Sequence, residues 1–273
     1  MNLYERDYIK VPPTSDELQQ YKRILAQEND DTSLGRKNLR YLYPPAIRHC
    51  NSLFPNNHIE LIDFRLETIG LKPEVMKLLE EFNTLIHASD TNEQDILNFI
   101  NHKTAYFIPA SILVDRFPFG HHDLYLFPEF SLGDRTAPRP DYMLIGSGSG
   151  GYEFVLIEFE KSNGRITLKS GHYGEAIRKG NFQIYDWQSW IDGNATLFYE
   201  KLSQLAYGKE LPPEFKKYDS SRFHYVTVAG LRDDFDEVTY RRRREQSKKE
   251  DIITLHYDNL YDSALKLNER ISF

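Results

Sequence analysis

Apolar side chains recur every three or four positions over residues 73–86, which is the spacing of a buried helix face. Pro73 suits the first turn of that helix, where backbone N–H groups have no intrahelical partner. Nearer the N-terminus, Thr14 and Glu17 have the spacing of a capping box and predict a helix to about residue 29. Residues 58–64 predict a short strand. We therefore expect residues 1–87 to form a mostly helical accessory region. The repeated apolar positions are Val75, Leu78, Leu79, Phe82 and Ile86.

A different pattern starts near residue 88 and continues to the C-terminus. Thr91 and Gln94 resemble a second capping box at the start of an amphipathic helix. The order α-β-β-β-α-β with a final βα unit predicts an α/β or α+β sandwich around a mixed sheet, formed by residues 88–273. Apolar runs predict strands at residues 124–130, 142–145, 154–159, 222–229 and 252–256, and helices at residues 174–192, 236–250 and 258–269.

The composition is that of a globular protein in a reducing compartment. Of the 273 residues, 40% are hydrophobic and 27% are charged, which is ordinary for a folded domain. The single cysteine, Cys50, rules out an intrachain disulfide. Apolar runs are all shorter than the roughly 18 residues that a membrane helix needs, and the N-terminus lacks a secretory signal. We expect a cytoplasmic protein without a membrane partner.

A net charge of −7 does not indicate a nucleic-acid-binding protein as a whole, so such a role depends on local patches. The basic segment 240–249 follows the acidic segment 233–237. Acids at the start of a helix and bases toward its end also suit the helix dipole. Two interpretations stay open, a solvated helix and a phosphate-contacting surface. The arginines concerned are Arg241, Arg242, Arg243 and Arg244.

Three carboxylates are expected to converge at one end of the predicted sheet. Side chains on a strand alternate faces, so Glu158 and Glu160 point the same way. The Gly/Ser-rich turn at residues 146–151 brings Asp141 back to about the level of Glu158. Exposed strands carry acids freely, but the apolar residues beside Glu158 indicate a buried strand, where an unpaired carboxylate is costly. A hard divalent cation such as Mg²⁺ or Mn²⁺ would stabilise this cluster.

The order of these features resembles the PD-(D/E)xK nuclease superfamily: a helix acid, Pro-Asp, a hairpin, Glu-x-(Lys or Glu), and a helix with an inward Gln. Residues 88–273 are more closely similar to Shedu antiphage-defence proteins. This resemblance implies a restriction-endonuclease-like αβββαβ core with flanking helices. The segments that carry it are Glu129-Phe-Ser-Leu-Gly133, Pro140-Asp141, Ile157-Glu-Phe-Glu-Lys161, residues 176–187 and Leu255-His-Tyr-Asp-Asn-Leu260.

The resemblance implies a role for each motif position. Asp141 and Glu158 would be metal ligands. Glu160 stands where most of the superfamily has lysine, which leaves open whether it binds metal or orients water. Lys161 is a second candidate for the catalytic cation, although on an ideal strand it points to the opposite face.

Three further residues are implied at the edge of this site. Glu93 matches a helix acid that holds a second metal or a water, or is a surface residue. Glu129 completes the metal site or pairs with Arg139. Gln183 has a core-facing position, where a buried amide needs a partner, and we expect it to bond to the active-site strand.

Several cations flank the site in sequence and are candidates for phosphate contacts, because DNA must dock over the metal. They are Arg165, Lys169, Arg178 and Lys179, together with Arg241, Arg242, Arg243 and Arg244.

Other motifs are given structural interpretations. His121 and His122 follow a glycine without acids or cysteines at zinc spacing, so we interpret them as a turn. The Gly/Ser-rich segment lacks the Lys-Ser/Thr of a phosphate-binding loop. Trp187 and Trp190 are assigned to the core.

The resulting hypothesis is a metal-dependent endonuclease that cleaves DNA in bacterial antiphage defence. As the Shedu resemblance implies, the accessory region would regulate the enzyme or sense a phage-derived trigger, and the chain would form homo-oligomers. The alternative is a nuclease fold with weakened catalysis that binds DNA ends or a partner protein. A carboxylate-pair glycosidase is less well supported, because the cleft and barrel that it needs are not evident.

Overall fold

The computed structural model describes residues 5–29, 39, 42–59 and 73–267. None of the helices in these ranges is long and apolar enough to cross a membrane. The helices are α1 (Ser15–Asn29), α2 (Pro45–Asn51), α3 (Pro73–His87), α4 (Glu93–His102), α5 (Phe107–Ala110), α6 (Ile112–Arg116), α7 (Glu175–Leu205), α8 (Glu237–Glu250) and α9 (Tyr257–Lys266).

The described residues contain one five-stranded sheet with the spatial order β1-β2-β3-β4-β5. The first three strands are antiparallel, and β4 and β5 continue the sheet in parallel, so the sheet is mixed as predicted. A tight turn joins β2 to β3 and begins β3 with Gly151, whose φ of 95° favours glycine. The strands are β1 (Asp123–Pro128), β2 (Tyr142–Gly148), β3 (Gly151–Phe159), β4 (Phe223–Val228) and β5 (Ile252–Leu255).

Each face of the sheet is covered by its own hydrophobic core. Val155, Ile157 and Phe159 of β3 pack in a core shared with α3, α4, α5, α6 and α9. Phe154 and Leu156 point to the opposite face and pack in a core shared with α7. The alternation along β3 therefore decides which of its polar residues face α7.

The predicted element order and fold class are confirmed, with small differences at the ends of elements. The capping box of α1 is present, since Thr14 N–H and Glu17 N–H each donate to the other residue's side chain. The second box is shifted by one position, because Asn92 rather than Thr91 caps α4 and pairs with Asp95. Thr91 instead donates its hydroxyl to the Leu85 carbonyl at the end of α3. Most of the predicted strand at residues 58–64 lies outside the described residues.

The described part of residues 1–87 packs on the same sheet as the later elements. Phe54, just after α2, contacts Tyr125 and Phe127 of β1 edge to face. The buried side of α3 lies in the opposite core. The division into an accessory region and a nuclease-like domain therefore stays a prediction about function.

Candidate active site

Asp141 lies opposite Glu158 at one end of the sheet. It directly precedes β2, whose first residue, Tyr142, pairs with Ile157 of β3, so the next antiparallel pair is Asp141 with Glu158. The Phe159 backbone N–H donates to Asp141 Oδ2 at 2.7 Å. This bond fixes the carboxyl group against the end of β3, as the hairpin in the sequence predicts.

Glu158 and Glu160 lie side by side on the face of the sheet that α7 covers. They continue the alternation of Phe154 and Leu156, which pack under that helix. Each glutamate is only 3% exposed. The Glu160 N–H donates to the Val228 carbonyl at 2.8 Å, which prolongs the pairing with β4 by one residue. Two carboxyl groups are thus buried at the end of one strand.

Helix α7 contributes Lys179 and Gln183, which lie four residues apart on one face of the helix. The Gln183 side chain donates to Glu158 Oε1, as the sequence predicts. The Lys179 ammonium donates to Glu160 Oε2 at 3.1 Å and to Glu93 Oε2 of α4 at 2.8 Å. The cation beside the motif glutamate therefore comes from the helix and not from β3.

Gly180 lets α7 approach the sheet closely enough for these contacts. A Cβ atom at this position would lie 2.6 Å from Thr227 Cγ2 and 3.4 Å from Glu160 Cγ. Gly180 sits between Lys179 and Gln183 in the sequence, so any larger residue would push both functional side chains away from the carboxylates.

We expect Gly180→Ala to lower the free energy of unfolding by about 1–3 kcal/mol, measured by urea denaturation, because the added methyl overpacks the contact with Thr227. Thr227→Ser removes the clashing methyl and keeps the hydroxyl that donates to Asn181 Oδ1. The free energy of unfolding that the double variant loses should therefore be smaller than the sum of the losses in the two single variants. Gly193→Ala is the matched control, because a Cβ there meets nothing within 4 Å. Equal losses in the two glycine variants would contradict the close-packing explanation.

Burial raises the pKa of all three carboxyl groups. Burial raises the pKa of Asp141 to about 7. The hydrogen bond from the Phe159 N–H opposes this rise, and the charge of Glu93 adds to it. Burial, followed by the charges of Asp141 and Glu160, raises the pKa of Glu158 to about 10. The pKa of Glu160 rises to about 7 through burial, although Lys179 opposes the change. Ionisation of all three carboxyl groups would therefore give the cluster more negative charge than its surroundings can stabilise.

Lys179 keeps its proton despite its position over the cluster. Burial lowers its pKa, but the hydrogen bonds to Glu93 and Glu160 outweigh burial, and the pKa of Lys179 is raised overall. The side chain is therefore a fixed cation and a hydrogen-bond donor, and it is unsuited to act as a general base near neutral pH.

Within the described part of the chain, no three His, Cys, Asp or Glu side chains are arranged as a metal site. Asp141, Glu158 and Glu160 each turn one oxygen toward a protein donor. The remaining oxygens nevertheless fit a hard cation. Glu158 Oε2 and Glu160 Oε1 are buried and have no hydrogen-bond partner among the described residues. Carboxylate oxygens are the ligands that Mg²⁺ and Mn²⁺ prefer.

A family profile described as "Shedu protein SduA, C-terminal" matches residues 90–261. The chain belongs to the Shedu SduA family. The matched segment starts just before α4 and ends within α9, so it contains all five strands and every side chain of the carboxylate cluster. No curated protein sequence matches the chain.

Two solved structures of the restriction endonuclease FokI are similar to this chain. One is 11% identical with a TM-score of 0.37, and covers 76% of this chain and 30% of the FokI chain. The other, FokI bound to DNA, is 15% identical with a TM-score of 0.34, and covers 80% and 30%. The chain thus spans about 30% of the length of the FokI chains. Its own topology, three antiparallel strands followed by two parallel ones between helices, is the restriction-endonuclease-like α/β class that the sequence predicts.

Two residues implied by the Shedu resemblance lie at the margin of the cluster. Lys161 follows β3, its side chain lies against Gly164, and among the described residues it forms no ion pair with the carboxylates. Glu129 is exposed and has a strained φ of 46°. Its backbone N–H donates to the Asp141 carbonyl at 2.8 Å, and its charge helps to raise the pKa of Asp141.

The candidate phosphate contacts lie on α7, on α8 and on the loop that joins β3 to α7. The basic segment forms α8, whose N-cap Asp236 accepts from the Thr239 N–H. Exposed side chains are Arg165 and Lys169 on the loop, Arg178 on α7, and Arg241 and Arg244 on α8, whereas Arg242 and Arg243 are half-buried.

Lys179 and Tyr257 both contact Glu160. The sequence predicted Lys179 only as a DNA contact, and it did not indicate Tyr257. The four-residue spacing of Lys179 and Gln183 was an available signal, because it puts both side chains on one helix face. The Tyr257 hydroxyl donates to the Glu160 carbonyl at 2.5 Å across 97 residues of sequence. No local spacing could indicate that contact.

Proposed function

We propose that the protein is a metal-dependent endonuclease that cleaves DNA phosphodiester bonds in bacterial antiphage defence. The observation that supports this proposal is the buried group of Asp141, Glu158 and Glu160 beside a fixed lysine, in a chain of the Shedu SduA family. A stable fold gains nothing from three mutually repelling carboxyl groups.

Asp141, Glu158 and Glu160 would hold Mg²⁺ or Mn²⁺, with Glu158 and Glu160 binding through their buried oxygens that lack a hydrogen-bond partner among the described residues. A bound ion supplies a positive charge for the scissile phosphate and lowers the pKa of a water molecule. Glu158 would lose its proton when an ion binds, because burial and the neighbouring acids raise its pKa to about 10 in the metal-free protein. Gln183 keeps Glu158 in place by donating to its other oxygen.

Lys179 supplies the charge that lysine at the third motif position supplies in most of the superfamily. Its ammonium is held by Glu93 and Glu160, so its position does not depend on substrate. A preorganised cation of this kind stabilises negative charge that develops on a phosphate during cleavage. Glu160 in place of lysine is therefore compatible with an active site.

We assign the described helices before residue 88 to regulation, including the sensing of a phage-derived trigger. Homo-oligomerisation belongs to the same proposal and rests on the family resemblance. The proposed substrate contacts are Arg165, Lys169, Arg178, Arg241, Arg242, Arg243 and Arg244.

Purified protein, supercoiled and linear DNA, and Mg²⁺ or Mn²⁺ test the proposal directly. We expect the wild type to cut, and Asp141→Asn and Glu158→Gln each to lower the single-turnover rate by about 10²–10³-fold or more. Glu153→Gln is the control, because this acid lies toward the other end of β3 and pairs with His224. Absence of cleavage together with absence of metal binding by calorimetry would overturn the proposal.

The alternative function is a nuclease fold that binds DNA ends or a partner protein without cleavage. The absence of a three-acid metal arrangement among the described residues, with Glu160 at the lysine position, favours it. It predicts DNA binding that neither needs metal nor changes when Glu158 is neutralised.

A further inference from the structure

A groove runs between α7 and α8, outside the carboxylate cluster. Its cavity has a volume of about 350 Å³. That volume lies at the lower end of the range for small-molecule sites, roughly 300–1,000 Å³. We call it the α7–α8 groove, and define it by Arg178, Phe182 and Tyr185 on α7 and by Arg242 and Lys249 on α8.

The aromatic side of the groove is largely exposed to solvent. Phe182 is 65% exposed, more than any other large apolar side chain in the described residues. Its ring meets that of Tyr185 edge to face at 6.4 Å. The Tyr185 hydroxyl donates to Glu250 Oε2 at 2.7 Å, which holds that ring in place. An exposed aromatic pair in a held geometry is a surface for a partner.

The charges around the groove favour an anionic partner. Arg178, Arg242 and Lys249 line it. The Nε atom of Arg242 is buried and lacks a hydrogen-bond partner among the described residues. Two acids, Glu245 and Glu250, also line the groove, so its three cations leave a net charge of +1. Glu250 is held by hydrogen bonds from Tyr185 and Gln246.

The groove and the carboxylate cluster share one helix. Arg178 and Phe182 directly precede Lys179 and Gln183, and successive helix residues point about 100° apart. The two sets of side chains therefore occupy neighbouring faces of α7. A strand of DNA at the carboxylates would pass this neighbouring face of α7, where the groove presents an aromatic ring and two arginines.

We propose that the α7–α8 groove binds one unpaired nucleotide of DNA, with its base stacked on Phe182 and its phosphate paired with Arg178 and Arg242. Aromatic faces combined with cations are the usual means of holding a single strand. This inference rests on the proposed function only in taking DNA as the ligand. It adds a preference for DNA that carries an unpaired nucleotide beside the site of cleavage.

Fluorescence anisotropy in EDTA tests the proposal without cleavage. The probes are one labelled duplex with a three-nucleotide overhang and the same duplex with an abasic overhang, which keeps the phosphates and lacks the bases. We expect the wild type to bind the first probe about 5- to 100-fold more tightly. Phe182→Ala should remove this difference, and Phe182→Trp should keep it.

Leu197→Ala is the matched control, since Leu197 is an apolar residue of α7 with 46% exposure that does not line the groove. Circular dichroism checks that each variant is folded. Equal affinity of the wild type for both probes overturns the proposal, as does an equal change in Phe182→Ala and Leu197→Ala. If Phe182→Ala dissociates an oligomer in light scattering and leaves the overhang preference intact, the groove is an interface between copies, and the proposal fails.

The same preparations separate this inference from the proposed function. A protein that cuts DNA with Mn²⁺ but does not distinguish the two overhangs retains the proposed function and loses the nucleotide site. A protein that distinguishes them but never cuts retains the nucleotide site and supports the binding module instead.

Discussion

Replacing Lys179 by methionine is expected to slow DNA cleavage by about 10²–10³-fold at saturating Mn²⁺. Methionine keeps an unbranched stem as far as Cε and removes the ammonium that contacts Glu160 and Glu93. The loss should appear in the single-turnover rate with little change in DNA affinity, because Lys179 acts on charge that develops during the reaction. Single-turnover kinetics on a labelled duplex measure it.

Two other lysines make this prediction specific. Lys161→Met tests the candidate cation that lies next to Glu160 in the sequence, and we expect it to slow cleavage much less than Lys179→Met. Lys201→Met, farther along α7, controls for loss of a positive charge on the same helix. If Lys161→Met were the more damaging change, the cation would come from β3, and the role given to Lys179 would be wrong.

Glu158→Gln is expected to raise the melting temperature of the metal-free protein by roughly 5 °C at pH 8. Burial, with the charges of Asp141 and Glu160, raises the folded-state pKa of Glu158 from 4.5 to about 10. Between these two values the unfolded chain gives up its proton while the folded protein keeps it, so wild-type stability falls as pH rises. Glutamine does not titrate and still accepts from Gln183. Differential scanning fluorimetry from pH 5 to pH 9 measures the difference in melting temperature between Glu158→Gln and the wild type. This difference should be near zero at pH 5 and should grow as the pH rises.

Addition of Mn²⁺ tests whether Glu158 is also a metal ligand. Mn²⁺ should raise the melting temperature of the wild type, because it binds the folded state alone. Glu158→Gln should respond far less, although it starts from a higher value. A melting-temperature difference that did not change with pH would mean that ionisation of Glu158 does not destabilise the fold. An equal rise in melting temperature of both proteins with Mn²⁺ would mean that Glu158 is not a metal ligand.

The carboxylates could be found from the sequence because their positions follow from local rules. Alternation along a strand puts Glu158 and Glu160 on one face, and the hairpin sets Asp141 opposite Glu158. Helical spacing likewise placed Gln183 toward the sheet, where it meets Glu158. Each of these inferences involves neighbours within a strand, a hairpin or a helix.

The cation could not be assigned in the same way. Lys161 is adjacent to Glu160 in sequence, but it follows the end of β3 and lies against Gly164. Lys179 is nineteen positions from Glu160 and reaches it only because Gly180 lets α7 pack closely on β4. The approach of a helix to a sheet depends on the side chains of both surfaces.

The sequence by itself determined the order of the elements, the mixed character of the sheet and the shared end of three acids, because strand alternation, helical spacing and turn residues are local properties. The tertiary structure alone decided that Lys179 supplies the charge beside Glu160, that Tyr257 holds the Glu160 carbonyl, and that Phe182 stands exposed beside the cluster. These facts depend on how closely α7, α8 and α9 pack around one end of the sheet, and packing distance is not encoded in the spacing of residues along the chain.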